Sequence, residues 1–308
     1  MIFITVVVLF LFSSLGAVFL FTCVDSSADG VLGRLRKVVV DDFPQFLSNA
    51  ILRICGDRVH RSVVECTNYS LYEPNPLMQM VYLLLVCGGY GFFLFYGQPY
   101  IPNLFISSYH TICVLFLATA SLCTFFQAST ISPGLLNERT LRWHNHYEYD
   151  GVMYKKDTEC TTCKVIKLAR SKHCSVCNVC VPRFDHHCGW LNSCVGERNY
   201  KSFLAFIMTN AVFLMYGTYV LGAIIVSEVI TLQLFQSKYV DQSTGEPADA
   251  TYFIVFRYVM HIHPINTMLF FVCLVMGCAL TCFSIFHLRL LLQNRTTNEY
   301  FKQRGSSK

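Results

Sequence analysis

Charge is what this chain has least of. Only 14 % of its 308 residues are Asp, Glu, Lys or Arg, against about 25 % in soluble globular chains. With 54 % hydrophobic residues and a mean hydropathy of +0.44, a fold of this size could not cover its surface with polar groups. A mostly soluble enzyme is excluded. Sixteen cysteines would suit a secreted disulfide scaffold, but that class is small and polar, and this chain is neither. The net charge of +5 is modest, so the positions of the charges carry the information.

The charge-free stretches set the architecture. Residues 2–22 carry no charge and are rich in Val, Leu and Phe, and none occurs again from Pro74 to Asn137. About 20 apolar residues cross a bilayer's hydrocarbon core as a helix. Spans are expected near 2–22, 77–96, 106–132, 203–230 and 266–287, with Gly97–Asn103 as the turn between the second and third. The fold class is an all-α polytopic membrane protein of about five transmembrane helices with a small cytosolic cysteine-rich domain. Its expected parts are an N-terminal anchor helix (1–22), a cytosolic segment (23–76), a two-span hairpin (77–132), a cytosolic domain (133–202), two further spans (203–288) with a lumenal loop (231–265), and a short tail (289–308). The cysteines inside spans, such as Cys87 and Cys123, read as small apolar residues. Glu228 reads as an interfacial residue, and His261 and His263 as surface groups of the loop.

Orientation follows from where Lys and Arg are missing. The turn at 97–105 has none and the loop 231–265 has two, whereas 23–76, 133–202 and the tail hold the other 22 of 24. Lys and Arg accumulate on the cytosolic side, so those three segments are expected there and the N-terminus on the other. A cleaved signal peptide at the start is disfavoured, because the basic n-region is absent and the basic cluster follows the apolar run.

Seven of the sixteen cysteines and three of the ten histidines fall between residues 160 and 194. The pattern is Cys160-x2-Cys163-x9-His173-Cys174-x2-Cys177-x2-Cys180-x4-Asp185-His186-His187-Cys188-x5-Cys194. In a reducing compartment disulfides are disfavoured. Repeated C-x2-C spacing lets two thiolates converge on one ion, and structural zinc takes four Cys or His ligands. Ten groups are present and two closed sites use eight. The run Asp185-His186-His187-Cys188 suggests which two remain, although counting does not choose. If His187 turns to a metal, His186 stands free beside Cys188 with Asp185 nearby: a nucleophile, a base and a carboxylate to orient the base. The competing reading is a purely structural zinc module, a membrane-anchored scaffold or ring-type ligase. A thiol redox protein is the second rival.

From Cys160 to Phe203 the residues resemble the cysteine-rich domain of the DHHC protein S-acyltransferases (palmitoyltransferases), and Asn199 and Phe203 match at their family spacing. Thr296-Thr297-Asn298-Glu299 is similar to the family's TTxE motif. The resemblance implies that Cys188 takes an acyl group from palmitoyl-CoA, or another long-chain acyl-CoA, as a thioester. His186 is then its base and Asp185 the group that polarises the base, with Thr297 approaching Asp185. It implies two structural zinc ions, one on Cys160, Cys163, His173 and Cys180 and one on Cys174, Cys177, His187 and Cys194. Trp190, Phe203 and Phe206 resemble residues lining the acyl cavity, and Lys167, Arg170 and Lys172 are candidates for CoA phosphates. The implied partners are membrane lipid, acyl-CoA and substrate proteins with juxtamembrane cytosolic cysteines, with no nucleic acid. A span before the usual four resembles the endoplasmic-reticulum/Golgi members, with the plasma membrane as the other location.

Two departures stand out. Ser132-Pro133-Gly134 replaces the usual Asp-Pro-Gly, which removes a carboxylate tether. The chain ends at Lys308, nine residues after Glu299, where the family is normally longer, so a catalytically weak truncated isoform is the alternative expectation. The orientation makes a prediction about two sequons, Asn68-Tyr69-Ser70 and Asn294-Arg295-Thr296. Both should stay unglycosylated in cells, giving no mobility shift on glycosidase treatment; a glycan on Asn68 would invert the topology.

Overall fold

The computed structural model describes residues 31–240 and 245–306, so the expected span at 2–22 lies outside the described residues. The segment read only as cytosolic is helical: α1 (Val31–Arg36), a π-helical turn (Lys37–Asp42) and α2 (Phe43–Tyr72). Gly56 breaks α2 with φ 80° and ψ 171°, a backbone that glycine adopts without a Cβ clash. Beyond the break, Ser48 Oγ and His60 Nε2 meet at 2.8 Å. Twelve residues of straight helix would hold them about 18 Å apart, so α2 folds back on itself as two arms.

Among the described residues, four helices are long and apolar enough to cross a membrane: Leu77–Tyr100, Tyr109–Thr130, Tyr200–Thr231 and Pro264–Leu292. The first consists of α3 (Leu77–Phe92) followed by a π turn and a 3-10 turn to Tyr100; the second is α4. These replace the expected limits by a few residues for local reasons. Asn103 Oδ1 accepts the Phe105 and Ile106 amides, so the chain turns there and α4 starts late. Pro264 opens its helix, where a missing N–H costs nothing. Between α4 and the third span come the short α5 (Leu141–His144) and four strands, β1 (Lys172–Cys174), β2 (Val179–Val181), β3 (His186–Cys188) and β4 (Ser193–Val195). The third span is α6 (Tyr200–Thr231). The expected loop 231–265 has structure of its own: β5 (Lys238–Val240) pairs with β6 (Pro247–Asp249), and α7 (Tyr252–Ile262) follows, capped by Thr251. The last span is α8 (Pro264–Leu292), and α9 (Thr297–Ser306) lies after it.

The chain forms two compact units. One takes Asn68–Gly91, Cys113–Phe213 and the residues from Leu280 onward. Its core joins Tyr82, Phe125, Phe203 and Phe206 of the spans to Cys188, Leu191 and Val195 of the strand region. The Tyr82 ring stacks on Phe125 with centroids 4.2 Å apart. In hydrocarbon, side-chain polar groups are costly unless they find partners within the protein, and Tyr82, Ser121 and Asn210 find one another. The Tyr82 hydroxyl lies 2.8 Å from Ser121 Oγ, which donates to Asn210 Oδ1 at 2.7 Å.

The other unit takes the described residues up to Thr67, Phe92–Ile112 and Leu214–Ala279. Its polar contacts are also internal: His110 Nδ1 meets the Tyr216 hydroxyl at 2.6 Å, and Asn266 Nδ2 donates to the Tyr96 carbonyl at 2.7 Å. His263 is not the surface group that the sequence suggested. It is buried and pairs with Glu228 at 3.2 Å, because the turn between α7 and α8 directs it back to the end of α6.

Within this unit α6 and α8 cross at Gly277, where an added Cβ would stand 2.9 Å from Met215 Sδ and 3.3 Å from the Met215 backbone nitrogen. Small residues let helix backbones approach in this way. Gly277→Leu should therefore destabilise the detergent-solubilised protein by roughly 1–3 kcal/mol, the usual cost of overpacking. An unchanged thermal midpoint would show that the helices do not need this approach.

Candidate functional site

The cysteine-rich segment folds as two hairpins of one design. β1 pairs β2 with His173 opposite Cys180, and β3 pairs β4 with His187 opposite Cys194. Each hairpin meets a C-x2-C turn in which the first sulfur accepts a backbone amide, from Cys163 to Cys160 and from Cys177 to Cys174, both at 3.5 Å. Two groups result, Cys160, Cys163, His173, Cys180 and Cys174, Cys177, His187, Cys194, each with its donor atoms within 4.8 Å of one another. The His173 Nδ1 to sulfur distances are 3.6, 3.3 and 3.8 Å, and those from His187 Nδ1 are 3.8, 3.3 and 3.7 Å. A tetrahedral zinc with ordinary Zn–S and Zn–N bonds requires edges of about 3.5–3.8 Å. Each quartet therefore fits one zinc ion with no position left open.

The sequence held a signal that the ligand count missed. Adding fourteen to 160, 163, 173 and 180 gives 174, 177, 187 and 194, so one C-x2-C-x9-H-x6-C pattern occurs twice. A third copy would begin at Cys188 and fails at once, because Leu191 stands where the second cysteine would be. The backbone continues the series: Lys164, Asn178 and Asn192, again fourteen apart, have φ of 53°, 54° and 48°. Cys188 thus sits on a metal-knuckle turn that has lost its partner ligand.

Strand geometry completes the separation. Successive side chains on a strand point to opposite faces, so in β3 His187 faces one way while His186 and Cys188 share the other. His187 joins the second quartet; His186 and Cys188 are outside both. Asp185 Oδ2 lies 2.7 Å from His186 Nδ1, and Asp185 Oδ1 accepts the Thr297 amide at 2.8 Å. That leaves the other imidazole nitrogen for its second hydrogen-bonding neighbour, the Cys188 sulfur. Burial would lower the imidazole's pKa, but the bond from Asp185 and the nearby Cys188 outweigh it and push His186 up to about 9. Burial would likewise raise Asp185, yet His186 and the Thr297 amide hold it below the usual carboxylate range.

The apolar wall comes from the third span. Phe203 is 1 % exposed and packs edge-on to His186 at 5.1 Å, and Phe206 joins the cluster around Cys188. Trp190 lies apart, 42 % exposed on the 3-10 turn Gly189–Leu191, which Gln79 holds through the Leu191 carbonyl at 3.0 Å. His287, which sequence reasoning passed over, is fully buried against Phe203 (5.0 Å) and Phe283 (4.5 Å) and sits 6.0 Å from His186. Ser132 Oγ accepts the nearby Gly134 amide at 3.3 Å. The carboxylate in this region is Glu197, gripped by His144 at 3.0 Å and His146 at 3.2 Å.

The basic candidates divide. Lys167 is half-buried, and Lys172 reaches Asn298 Oδ1 at 3.3 Å and lies over the Phe184 ring. Arg170 is corrected: it is not free for a phosphate. Its Nε and Nη2 donate to the two carboxylate oxygens of Glu299 at 2.6 Å each, and Nη2 also donates to the Asn294 carbonyl at 2.8 Å. Glu299 in turn accepts the Thr296 amide at 2.9 Å while Thr296 Oγ1 accepts the Glu299 amide at 3.2 Å, a capping box at the start of α9. Arg170 thereby fixes the turn that presents Thr297 to Asp185.

Burial would raise the Glu299 carboxyl, but Arg170 and the Thr296 amide hold it below its ordinary 4.5. A depressed carboxylate contributes stability above its unfolded pKa and loses it as pH falls through the folded value. Glu299→Gln should therefore lower stability at neutral pH by about 3–5 kcal/mol, as expected for breaking a buried pair. Its thermal-midpoint gap from the parent should narrow as pH drops below about 4. A gap that does not vary with pH would remove the ion pair from the account.

The sequence is similar to those of known proteins. A sequence model of the family described as DHHC palmitoyltransferase matches residues 153–304. The Bos taurus palmitoyltransferase ZDHHC4 is 30 % identical over 289 residues, covering 92 % of this chain and 80 % of that protein. The Mus musculus ZDHHC4 is 30 % identical over 272 residues, covering 87 % and 77 %. The Schizosaccharomyces pombe palmitoyltransferase swf1 is 31 % identical over 195 residues, covering 62 % and 53 %.

Proposed function

The chain belongs to the DHHC palmitoyltransferase family, and on that premise we propose how this multi-pass membrane protein S-palmitoyltransferase carries its acyl group. Palmitoyl-CoA, or another long-chain acyl-CoA, is the donor and Cys188 the nucleophile. In the first step the Cys188 thiolate attacks the thioester carbonyl, the carbon–sulfur bond to CoA breaks, and the leaving CoA sulfur takes the proton held by His186. In the second, a substrate protein's cysteine thiol gives its proton to His186 and attacks the acyl-Cys188 carbonyl. Cys188 leaves as the thiolate it was. Asp185 keeps the His186 ring in place and balances its charge.

One thioester replaces another, so the exchange is nearly isoenergetic, and the enzyme contributes positioning and proton transfer, the latter typically worth 10²–10⁴-fold. A sixteen-carbon chain gains about 0.8 kcal/mol per buried methylene, which favours a slot beside Phe203 and Phe206 for it. The zinc ions, one on each quartet, are structural: four protein ligands leave no open position for Lewis-acid chemistry. The Lys and Arg bias of 133–202 and the tail supports a cytosolic site. The family resemblance, with an apolar run ahead of the usual four spans, supports residence in the endoplasmic reticulum or Golgi. Substrates are proteins with cysteines close to the cytosolic membrane surface.

The observation that carries this reading is that His186 and Cys188 share the face of β3 that the quartets do not use. Its test is autoacylation of the purified protein with a clickable palmitoyl-CoA. Hydroxylamine-sensitive label should be present in the parent and in Cys123→Ser and absent in Cys188→Ser, while Cys188→Ser keeps about two zinc ions per chain. Cys180→Ser should lose zinc as well as label. Label persisting in Cys188→Ser, or zinc departing with that sulfur, would return the site to a purely structural module.

A further inference from the structure

The arm of α2 before Gly56 is built the wrong way round for water. Phe43, Phe46, Leu47, Ala50, Ile51 and Ile54 recur at i, i+3, i+4, i+7, i+8 and i+11, one stripe of a helix. A helix in a soluble protein turns such a stripe inward. Here Ser48, from the polar side, meets His60 of the second arm at 2.8 Å. The stripe is left outside, with Phe43 57 %, Phe46 68 % and Ile54 82 % exposed. We infer that residues 43–55 form an interfacial membrane helix, with this stripe lying in the bilayer at the boundary between headgroups and acyl chains.

The chain on either side supplies the reason for choosing lipid over another occupant. The second arm ends at Tyr72 and the first described span opens at Leu77. Asn75 ties the two, its Nδ2 donating to the Tyr69 carbonyl at 2.8 Å and its Oδ1 accepting the Leu77 amide at 3.1 Å. The end of α2 is thereby fixed within a few residues of where the chain enters the membrane. Thirteen residues of helix reach about 20 Å, too short to cross a hydrocarbon core of about 30 Å, so the arm lies along the surface. Its polar flank and the next arm carry Arg53 and Arg58, with Arg61 paired to Asp57 at 3.0 Å; the first two suit anionic headgroups, and basic amphipathic helices bind membrane interfaces by this combination.

The test introduces one tryptophan at a time into the full chain, in vesicles of phosphatidylcholine and phosphatidylserine. The variants are Leu47→Trp and Ile54→Trp on the stripe, and Arg61→Trp on the charged face of the second arm, where the side chain is 69 % exposed. All three positions are exposed, so the indole is accommodated. The signal of the two native tryptophans, measured in the parent, is subtracted. Phospholipid brominated on its acyl chains should quench positions 47 and 54 several-fold more than position 61, and aqueous iodide should show the reverse order. Iodide quenching at all three would put the stripe in water. Quenching of 47 and 54 by neither agent would mean that protein covers it, another apolar run of this chain or a second copy. Either result overturns the inference.

Discussion

The site depends on the two-residue period of one short strand. β3 is three residues long, and its alternation gives the imidazole at 187 to one quartet while leaving the imidazole at 186 and the sulfur at 188 on the opposite face. A shift of one residue in the β3–β4 register would exchange the faces. It would turn His186 and Cys188 together toward the quartet and carry His187 away from it. The register is therefore what a rigid module must defend. His187 opposite Cys194 defends it, because both residues belong to the same quartet and an ion held by both locks the pairing. In this sense the quartet fixes which sulfur stays outside both groups without touching it.

The fourteen-residue series explains why that sulfur is at 188. The same knuckle turn is laid down at Cys160, Cys174 and Cys188, with a left-handed residue four positions on in each case. In the first two the turn closes on a second cysteine. In the third Leu191 is buried instead, so the turn keeps its shape through packing and the lone thiol stays uncoordinated. This was legible in the sequence, and more directly than by resemblance: ligand counting alone could not say which two of ten groups were spare, but the repeat can. The helical spans were legible for a similar reason, since a run of charge-free residues has only one way to satisfy its backbone in lipid.

What sequence could not supply were pairings between distant residues. Arg170 and Glu299 lie 129 positions apart, and each alone reads as an ordinary surface charge. Their meeting reassigns Arg170 from ligand binding to the support of α9. His263 looked like a loop histidine because nothing local shows that the chain turns back to Glu228. The missing carboxylate at Ser132 could be noticed, but not that Glu197 would hold His144 and His146 in the same region. Helical periodicity in residues 43–54 was present to be read, yet its meaning depended on the fold-back at Gly56, which decides which side of the arm faces outward.

The need for both a metal-stiffened module and a bundle of apolar helices follows from the third span. α6 begins six residues after Cys194, and within its first turns Phe203 sets an edge against the His186 ring while Phe206 packs with Tyr82 and Phe125 of the neighbouring spans. One helix thus forms the wall beside His186 and continues into the apolar cluster that includes Cys188. A fatty acyl chain gains its binding energy along its methylenes, whereas the bond to be exchanged is at its head. Binding along the tail helps the reaction at the head only if the two are held in fixed register. In the proposed reaction the shared helix, the quartets and the Arg170–Glu299 support behind Asp185 would all act on that one distance.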